Sequence, residues 1–173
     1  MESRFPCTPV GLEFFANAPH CFPATEVVRA TPEQIFEVFE DAHAWTVWAD
    51  PIQKVEWTSP RPFKLGTTRT VTMSGGMVGW EEFIAWEPGK RMAFCFTHVA
   101  KDNIESFAED YQVEDLGDGT CKVTWRMAMA PKGASRFILP VFSPVMGWFI
   151  RRMFKKFKAY AENHAAGSVQ GAG

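Results

Sequence analysis

From residue 54 to residue 130 the chain is broken at short, regular intervals by polar and glycine-rich stretches, and that rhythm constrains the fold more than any other feature. The breaks are Gly75-Gly76, Glu87-Pro88-Gly89-Lys90, Lys101-Asp102-Asn103 and Gly117-Asp118-Gly119. Between them lie runs rich in β-branched and aromatic residues at 54–59, 66–74, 77–86, 91–99, 104–114 and 121–130. Connections this short leave no room for a crossover helix, so successive strands must pair antiparallel. The spacing predicts a meander of five hairpin-linked strands after a first strand at 54–59.

The flanks read differently. Residues 1–21 form an arm holding Pro6, Pro9 and Pro19, and 22–30 reads as a strand through Val27 and Val28. Thr31-Pro32-Glu33-Gln34 is a helix start: Thr31 caps, Pro32 takes the first helical position, and Gln34 completes a capping box. Ile35, Phe36, Val38 and Phe39 give that helix a buried stripe, and 42–48 predicts a second short helix before Asp50-Pro51. At the other end Ser143-Pro144 reads as a cap followed by proline. Met146, Phe149, Ile150, Met153, Phe157, Tyr160, Ala161 and His164 then recur at helical spacing, with Arg151, Arg152, Lys155, Lys156 and Lys158 mostly opposite. Residues 165–173 are small and polar and read as a flexible tail.

At 173 residues the chain is long enough for one domain with a real core. It carries 16 Phe and 7 Trp, an apolar load that suits either a large packed interior or a greasy cavity. A net charge of −2 gives no nucleic-acid footprint. Cys7, Cys21, Cys95 and Cys121 lack metal-ligand spacing, and free thiols in a reducing cytosol are the expectation. The start lacks the apolar run of a signal peptide. The most hydrophobic window, 137–150, is too short to span a bilayer and holds two prolines. A soluble cytoplasmic protein is therefore expected, with neither metal nor cofactor implied.

The strand, the two short helices, the meander and the final amphipathic helix follow the order of the helix-grip fold. The residues resemble the SRPBCC or START-like superfamily, and within it the polyketide cyclase/dehydrase-like branch. Ala30 to Phe36, Asp41 with Trp45 and Trp48, Gly66-Thr67-Thr68-Arg69, Trp86 to Phe94 and Leu116 to Gly119 carry the resemblance, which spans about 22–164. It implies an α+β fold in which a curved antiparallel sheet of six to seven strands wraps a long C-terminal helix. It also implies a hydrophobic pocket between sheet and helix that takes lipids, polyketides, sterols, hormones or quinones. No invariant catalytic motif carries over, so function by fold alone is analogy.

Strand alternation sharpens the reading. A two-residue turn at Gly75-Gly76 pairs Ser74 with Met77, hence Val71 with Trp80 and Arg69 with Glu82. The later turns set Glu82 beside Phe94, Phe94 beside Glu109, Glu109 beside Met127 and Tyr111 beside Trp125. One inner row then runs Arg69, Glu82, Phe94, Glu109, Met127. Arg69 and Glu82 make a bidentate pair that is first of all a strut. Glu109 is left without a charged partner, and burial of such a carboxyl raises its pKa.

Three roles for Glu109 stay open at this point. It faces solvent through a bulge or reaches Tyr111, His98 or a water; it anchors the polar end of a ligand; or it acts as the catalytic acid or base. His98 alternates with Phe94 and Phe96 and either lines one end of the cavity or turns outward.

The first functional reading is binding, with transport as an extension, of a small hydrophobic molecule such as a lipid, polyketide or quinone. Trp80, Phe94, Phe96, Tyr111, Trp125, Met127, Phe149 and Met153 would line the site, and Arg69, Glu82 and Glu109 would orient the guest. The second is a metal-free cyclase or dehydratase in the same pocket, with Arg69 or His98 polarising a carbonyl. The third is a partner-binding domain without ligand, whose sign would be an exposed apolar patch near 137–148. The basic run Arg151, Arg152, Lys155 and Lys156 is either a solvated face or a peripheral contact with an anionic membrane.

Overall fold

The computed structural model describes residues 3–170. In chain order they form β1 (Phe5–Pro6), α1 (Phe14–Asn17), β2 (His20–Val28), α2 (Pro32–Glu40), α3 (Ala42–Trp48), β3 (Ile52–Trp57), β4 (Thr68–Met73), a 3₁₀ turn (Ser74–Gly76), β5 (Met77–Glu87), β6 (Arg91–Val99), β7 (Ile104–Asp115), β8 (Cys121–Pro131) and α4 (Ser135–Gln170). The sheet is antiparallel and eight-stranded, in the order β2-β8-β7-β6-β5-β4-β3, with β1 added against β6. From β3 to β8 neighbours follow chain order, and β2 returns beside β8. This is the helix-grip α+β architecture.

The first helices form where their caps dictate. Thr31 Oγ1 accepts from Gln34 N–H and Gln34 Oε1 accepts from Thr31 N–H, closing the capping box ahead of Pro32. Asp41 caps α3 by accepting from His43 N–H. Both helices bury their apolar faces against α4, whose Ile150, Phe154, Phe157 and Ala161 are buried at alternating steps of four and three residues, with Met153 beside Phe154. Phe39, Trp45, Trp48, Tyr111, Trp125, Phe154 and Phe157 interlock there through stacked and edge-on ring contacts.

The arm is part of the sheet. The β6–β7 ladder ends at Cys95↔Ala108, and beyond it β1 slots into the gap, pairing Phe5 with Val99 and Pro6 with His98. Cys7 N–H donates to Thr97 O, and Thr8 N–H donates to Glu105 O. On the outer face Asp110, fully buried, receives Arg91 at 2.7 Å and Arg126 at 2.5 Å.

Several boundaries differ from the expectations. The strand predicted at 22–30 runs two residues earlier, because it pairs with β8 from His20↔Met129 onward. The final helix does not begin at Ser143-Pro144: it starts at Ser135 and carries Pro140 and Pro144 inside it. Each proline removes one backbone donor, and Ser143 Oγ donates to Leu139 O in that stretch. The tail expected at 165–173 is helical through Gln170, with Ala165 buried; positions 171–173, like 1 and 2, lie outside the described residues.

The hairpin at Gly75-Gly76 is the consequential difference. Met73 pairs with Met77, so three residues turn the chain rather than two. Gly75 and Gly76 sit at φ +74° and +70°, the left-handed region that glycine tolerates without steric cost. One additional residue in the turn moves the side chains of β5 from Met77 to Phe83 to the opposite face, until a bulge at Ile84 restores the alternation. Glu81, not Glu82, therefore points inward.

Candidate functional site

A cavity of about 500 Å³ lies between the inner face of the sheet and α4. β4 contributes Arg69, Val71 and Met73, β6 contributes Phe94 and Phe96, β7 contributes Phe107, Glu109 and Tyr111, and β8 contributes Trp125, Met127 and Met129. α3 supplies Trp45 and Trp48, and α4 closes the space with Met146, Phe149, Ile150 and Met153. Among the expected residues, Arg69, Phe94, Phe96, Glu109, Tyr111, Trp125, Met127, Phe149 and Met153 thus come together around one hollow.

The polar groups are few and deep. Arg69 is 1% exposed and Glu81 4%, and Arg69 Nε donates to Glu81 Oε2 at 2.5 Å. The guanidinium carbon lies 4.2 Å from the ring centre of Trp45 and 4.7 Å from that of Phe94, with Trp57 and Phe83 at 5.2 Å. Such an aromatic box stabilises a cation that water cannot reach. Its Nη1 is buried without a hydrogen-bond partner among the described residues. Trp48 Nε1, in the same wall, is likewise unpartnered.

Glu109 keeps the register expected of it: Phe94↔Glu109, Glu109↔Met127 and Tyr111↔Trp125 are all cross-strand pairs. Its Oε2 accepts from Tyr111 O–H at 2.7 Å and from Trp125 Nε1–H at 3.2 Å. Both bonds go to one oxygen, and Oε1 has no partner among the described residues. Burial raises the Glu109 pKa to about 7, the Tyr111 hydrogen bond opposes the rise, and the neighbouring Glu81 charge adds to it. Burial also raises Glu81 against the pull of Arg69. Tyr111 is pushed well above 10 by burial and by Glu109, so it stays a donor.

Three expected residues lie elsewhere. Glu82 is exposed on the outer face, opposite Cys95, because of the three-residue turn. Trp80 shares that outer face, with the Arg4 guanidinium 4.7 Å from its ring. His98 pairs with Trp80, while Glu81 pairs with Phe96. Thr97 is therefore an additional residue in β6, and this bulge reverses the alternation that would have put His98 beside Phe96. His98 Nδ1 instead meets Thr97 Oγ1 at 3.2 Å and Arg4 Nη2 at 3.5 Å.

Sequence reasoning missed Glu81, Trp45 and Trp48 as cavity residues. Glu81 was legible had Ser74 been counted into the turn. The two tryptophans recur three residues apart on α3, a spacing that puts both on one helix face. Among the described residues no three His, Cys, Asp or Glu side chains converge as a metal site would need.

Comparison with known proteins agrees with this architecture. The model of the family described as polyketide cyclase / dehydrase and lipid transport matches residues 19–162. The chain belongs to that family. An uncharacterized protein of Mycobacterium tuberculosis is 46% identical over 166 residues, covering 96% of this chain and 99% of its own. Among solved structures, a START superfamily protein from Mycobacterium smegmatis superposes at TM-score 0.64 with 14% identity, over 86% of this chain and 98% of its own. The Zhui aromatase/cyclase from Streptomyces sp. R1128 gives 0.64 and 14%, over 89% and 98%. At such identities the polyketide cyclase / dehydrase and lipid transport family shares its fold with these structures, and side-chain roles do not transfer.

Proposed function

We propose that this protein binds a small, mainly apolar molecule with one neutral polar end, inside the cavity between the sheet and α4. One observation carries the reading: a hollow of about 500 Å³ walled by aromatic and methionine side chains and ending on Arg69, Glu81 and Glu109. That is the composition of a ligand site, mostly apolar with a few placed polar groups.

The Arg69–Glu81 pair is already neutral, so a second full charge would be costly to bury there. A carbonyl or hydroxyl is not. Arg69 Nη1 offers a donor with no partner among the described residues, and Glu109 Oε1 offers a group that donates when protonated and accepts when ionised. A guest this apolar needs an apolar source, and the cationic turn from Arg151 to Lys155, which follows the exposed, cavity-lining Trp148 along α4, supports exchange with an anionic membrane surface. The free, buried Cys7, Cys95 and Cys121 suit a reducing compartment such as the cytoplasm.

Native mass spectrometry of protein purified from its own host should show a co-purified small molecule, and a lipid extract of that host should raise the melting temperature. Apo mass alone together with an unmoved melting temperature would overturn the reading.

A second reading, catalysis, is favoured by one observation, a carboxyl, Glu109, buried in an aromatic and methionine-lined cavity, where burial pushes its pKa up to about 7. A carboxyl poised there can take a proton from carbon. The resulting enolate carbon attacks a second carbonyl within the substrate, a carbon–carbon bond forms, and the alkoxide regains the proton as a hydroxyl. Loss of that hydroxyl as water completes an aldol-type cyclisation and dehydration with no other reactant. A poly-β-carbonyl thioester should then give a cyclised product lighter by one water, and Glu109→Gln should abolish it; full turnover by that variant removes this reading. The exposed patch at 137–148 supports the third, partner-binding reading and stands beside a cavity that this reading does not need.

A further inference from the structure

α4 has two halves with opposite habits. From Ile150 onward its apolar stripe is buried against sheet, α2 and α3. Before Ile150 no residue of the helix is buried, and large apolar side chains stand in solvent. Phe137 is 81% exposed, Val141 73%, and Ile138, Phe142, Val145 and Trp148 more than half. At 100° per residue these six fall on one arc of the helix. Phe142, Val145 and Trp148 also line the cavity, so the patch and the cavity wall form one continuous surface. Pro51, Ile52, Met73 and Met77 add further apolar lining.

Along the chain, the charges flanking this patch are of a single sign. No acidic residue occurs between Asp118 and Glu162. Arg136, Lys156 and Lys158 are each paired to an acid elsewhere in the fold, Glu105, Asp50 and Glu26 respectively. Lys156 is exposed with the rest of the basic group, but its charge is paired with Asp50. Arg151, Arg152 and Lys155 remain exposed and have no ion-pair partner among the described residues. They continue the apolar arc by one to two turns, and the Arg152 guanidinium lies 5.5 Å from the Trp148 ring.

We propose that residues 137–148 insert in the plane of an anionic lipid bilayer, with Arg151, Arg152 and Lys155 at the headgroup level, and that this docking sets the cavity mouth against the membrane. The inference rests on the ligand-binding reading for its purpose, though not for its geometry. Twelve residues of helix are roughly 18 Å long, well short of a hydrocarbon core of about 30 Å. The rest of α4 is committed to the core. The segment therefore lies in the interface rather than spanning it. An apolar arc followed by lysine and arginine is the pattern of helices that do so.

Co-sedimentation of the full chain with phosphatidylcholine vesicles, with and without phosphatidylglycerol, tests this. Binding should require phosphatidylglycerol and fade with added salt. Each cation is worth roughly a fivefold change in partitioning, so Arg151→Gln/Arg152→Gln/Lys155→Gln should bind about 100-fold more weakly. Phe137→Ser/Val141→Ser, at positions outside the cavity wall, should abolish binding. Both variants should still bind the uncharged dye N-phenyl-1-naphthylamine as the unaltered protein does. If no form binds the dye while the vesicle results hold, the ligand reading fails and the docking stands. Equal binding to uncharged vesicles overturns the proposal. So does absence of vesicle binding together with a dimer, by light scattering, that Phe137→Ser/Val141→Ser dissolves; a second copy would then cover the patch.

Discussion

Arg69 and Glu81 face each other across β4 and β5 with Nε to Oε2 at 2.5 Å, both almost wholly removed from water. The pair satisfies the two charges against each other. It also leaves Arg69 Nη1 in the cavity wall without a partner among the described residues, so one contact serves both folding and the candidate site.

Breaking that pair from one side strands a charge. Arg69→Met should destabilise the fold by about 3–5 kcal/mol, read by urea denaturation. The Glu81 pKa is already raised by burial, and without Arg69 it rises further. The unfolded chain then loses its proton at lower pH than the folded one, so the defect should deepen from pH 5 to pH 8. Arg69→Met/Glu81→Leu should recover most of the loss. A single variant within 1 kcal/mol of the parent would contradict this account.

Glu109 gives the opposite sign for its replacement. Its folded pKa of about 7 exceeds the ordinary 4.5, so the folded state holds a proton that the unfolded state has released between those values. Stability should fall across that window as pH rises and level off above pH 7, a loss of about 3 kcal/mol from this group. Glu109→Gln keeps an acceptor for Tyr111 and Trp125 and has no charge to bury. It should be near neutral at pH 5 and stabilising at pH 8. A variant with the parent's pH slope would refute the burial argument.

Gly79 sits in β5 directly under Phe96. A Cβ there would lie 2.7 Å from Phe96 Cζ, and that ring is stacked on Phe107 at 4.3 Å. Gly79→Ala should cost about 1–3 kcal/mol through overpacking and push Phe96 into the cavity. Weaker dye binding with a lowered melting temperature is expected; an unchanged melting temperature would show that the ring yields freely.

The capping box offers a control remote from the cavity. Thr31→Ala removes the acceptor for Gln34 N–H and should lower stability by about 1 kcal/mol while leaving dye affinity untouched. A change in affinity would mean that α2 helps shape the pocket.

How far the sequence reaches is clearest along the inner row. Glu109, Tyr111, Trp125 and Met127 were placed correctly because β7 and β8 run as an unbroken ladder from Ser106↔Ala130 to Asp115↔Cys121, and alternation counted from the Gly117-Asp118-Gly119 turn holds along it. Besides the bulge at Ile84, the β4–β5–β6 ladder breaks that regularity at the three-residue turn and at Thr97, and these two breaks misplace Glu82, Trp80 and His98. Local residue preference fixes neither, since Ser-Gly-Gly and Phe-Thr-His suit several geometries.

By itself, then, the order of residues determined what depends on neighbours in the chain: the capped helices, the hairpin meander, the amphipathic C-terminal half of α4 and the presence of a carboxyl on an apolar face. The tertiary structure decided which carboxylate meets Arg69, where α4 begins, and which apolar residues find a partner. Those are set by packing across strands and by the sheet's reach along the helix. Ile150 is buried and Phe137 is not because the body covers one half of α4 and leaves the other exposed.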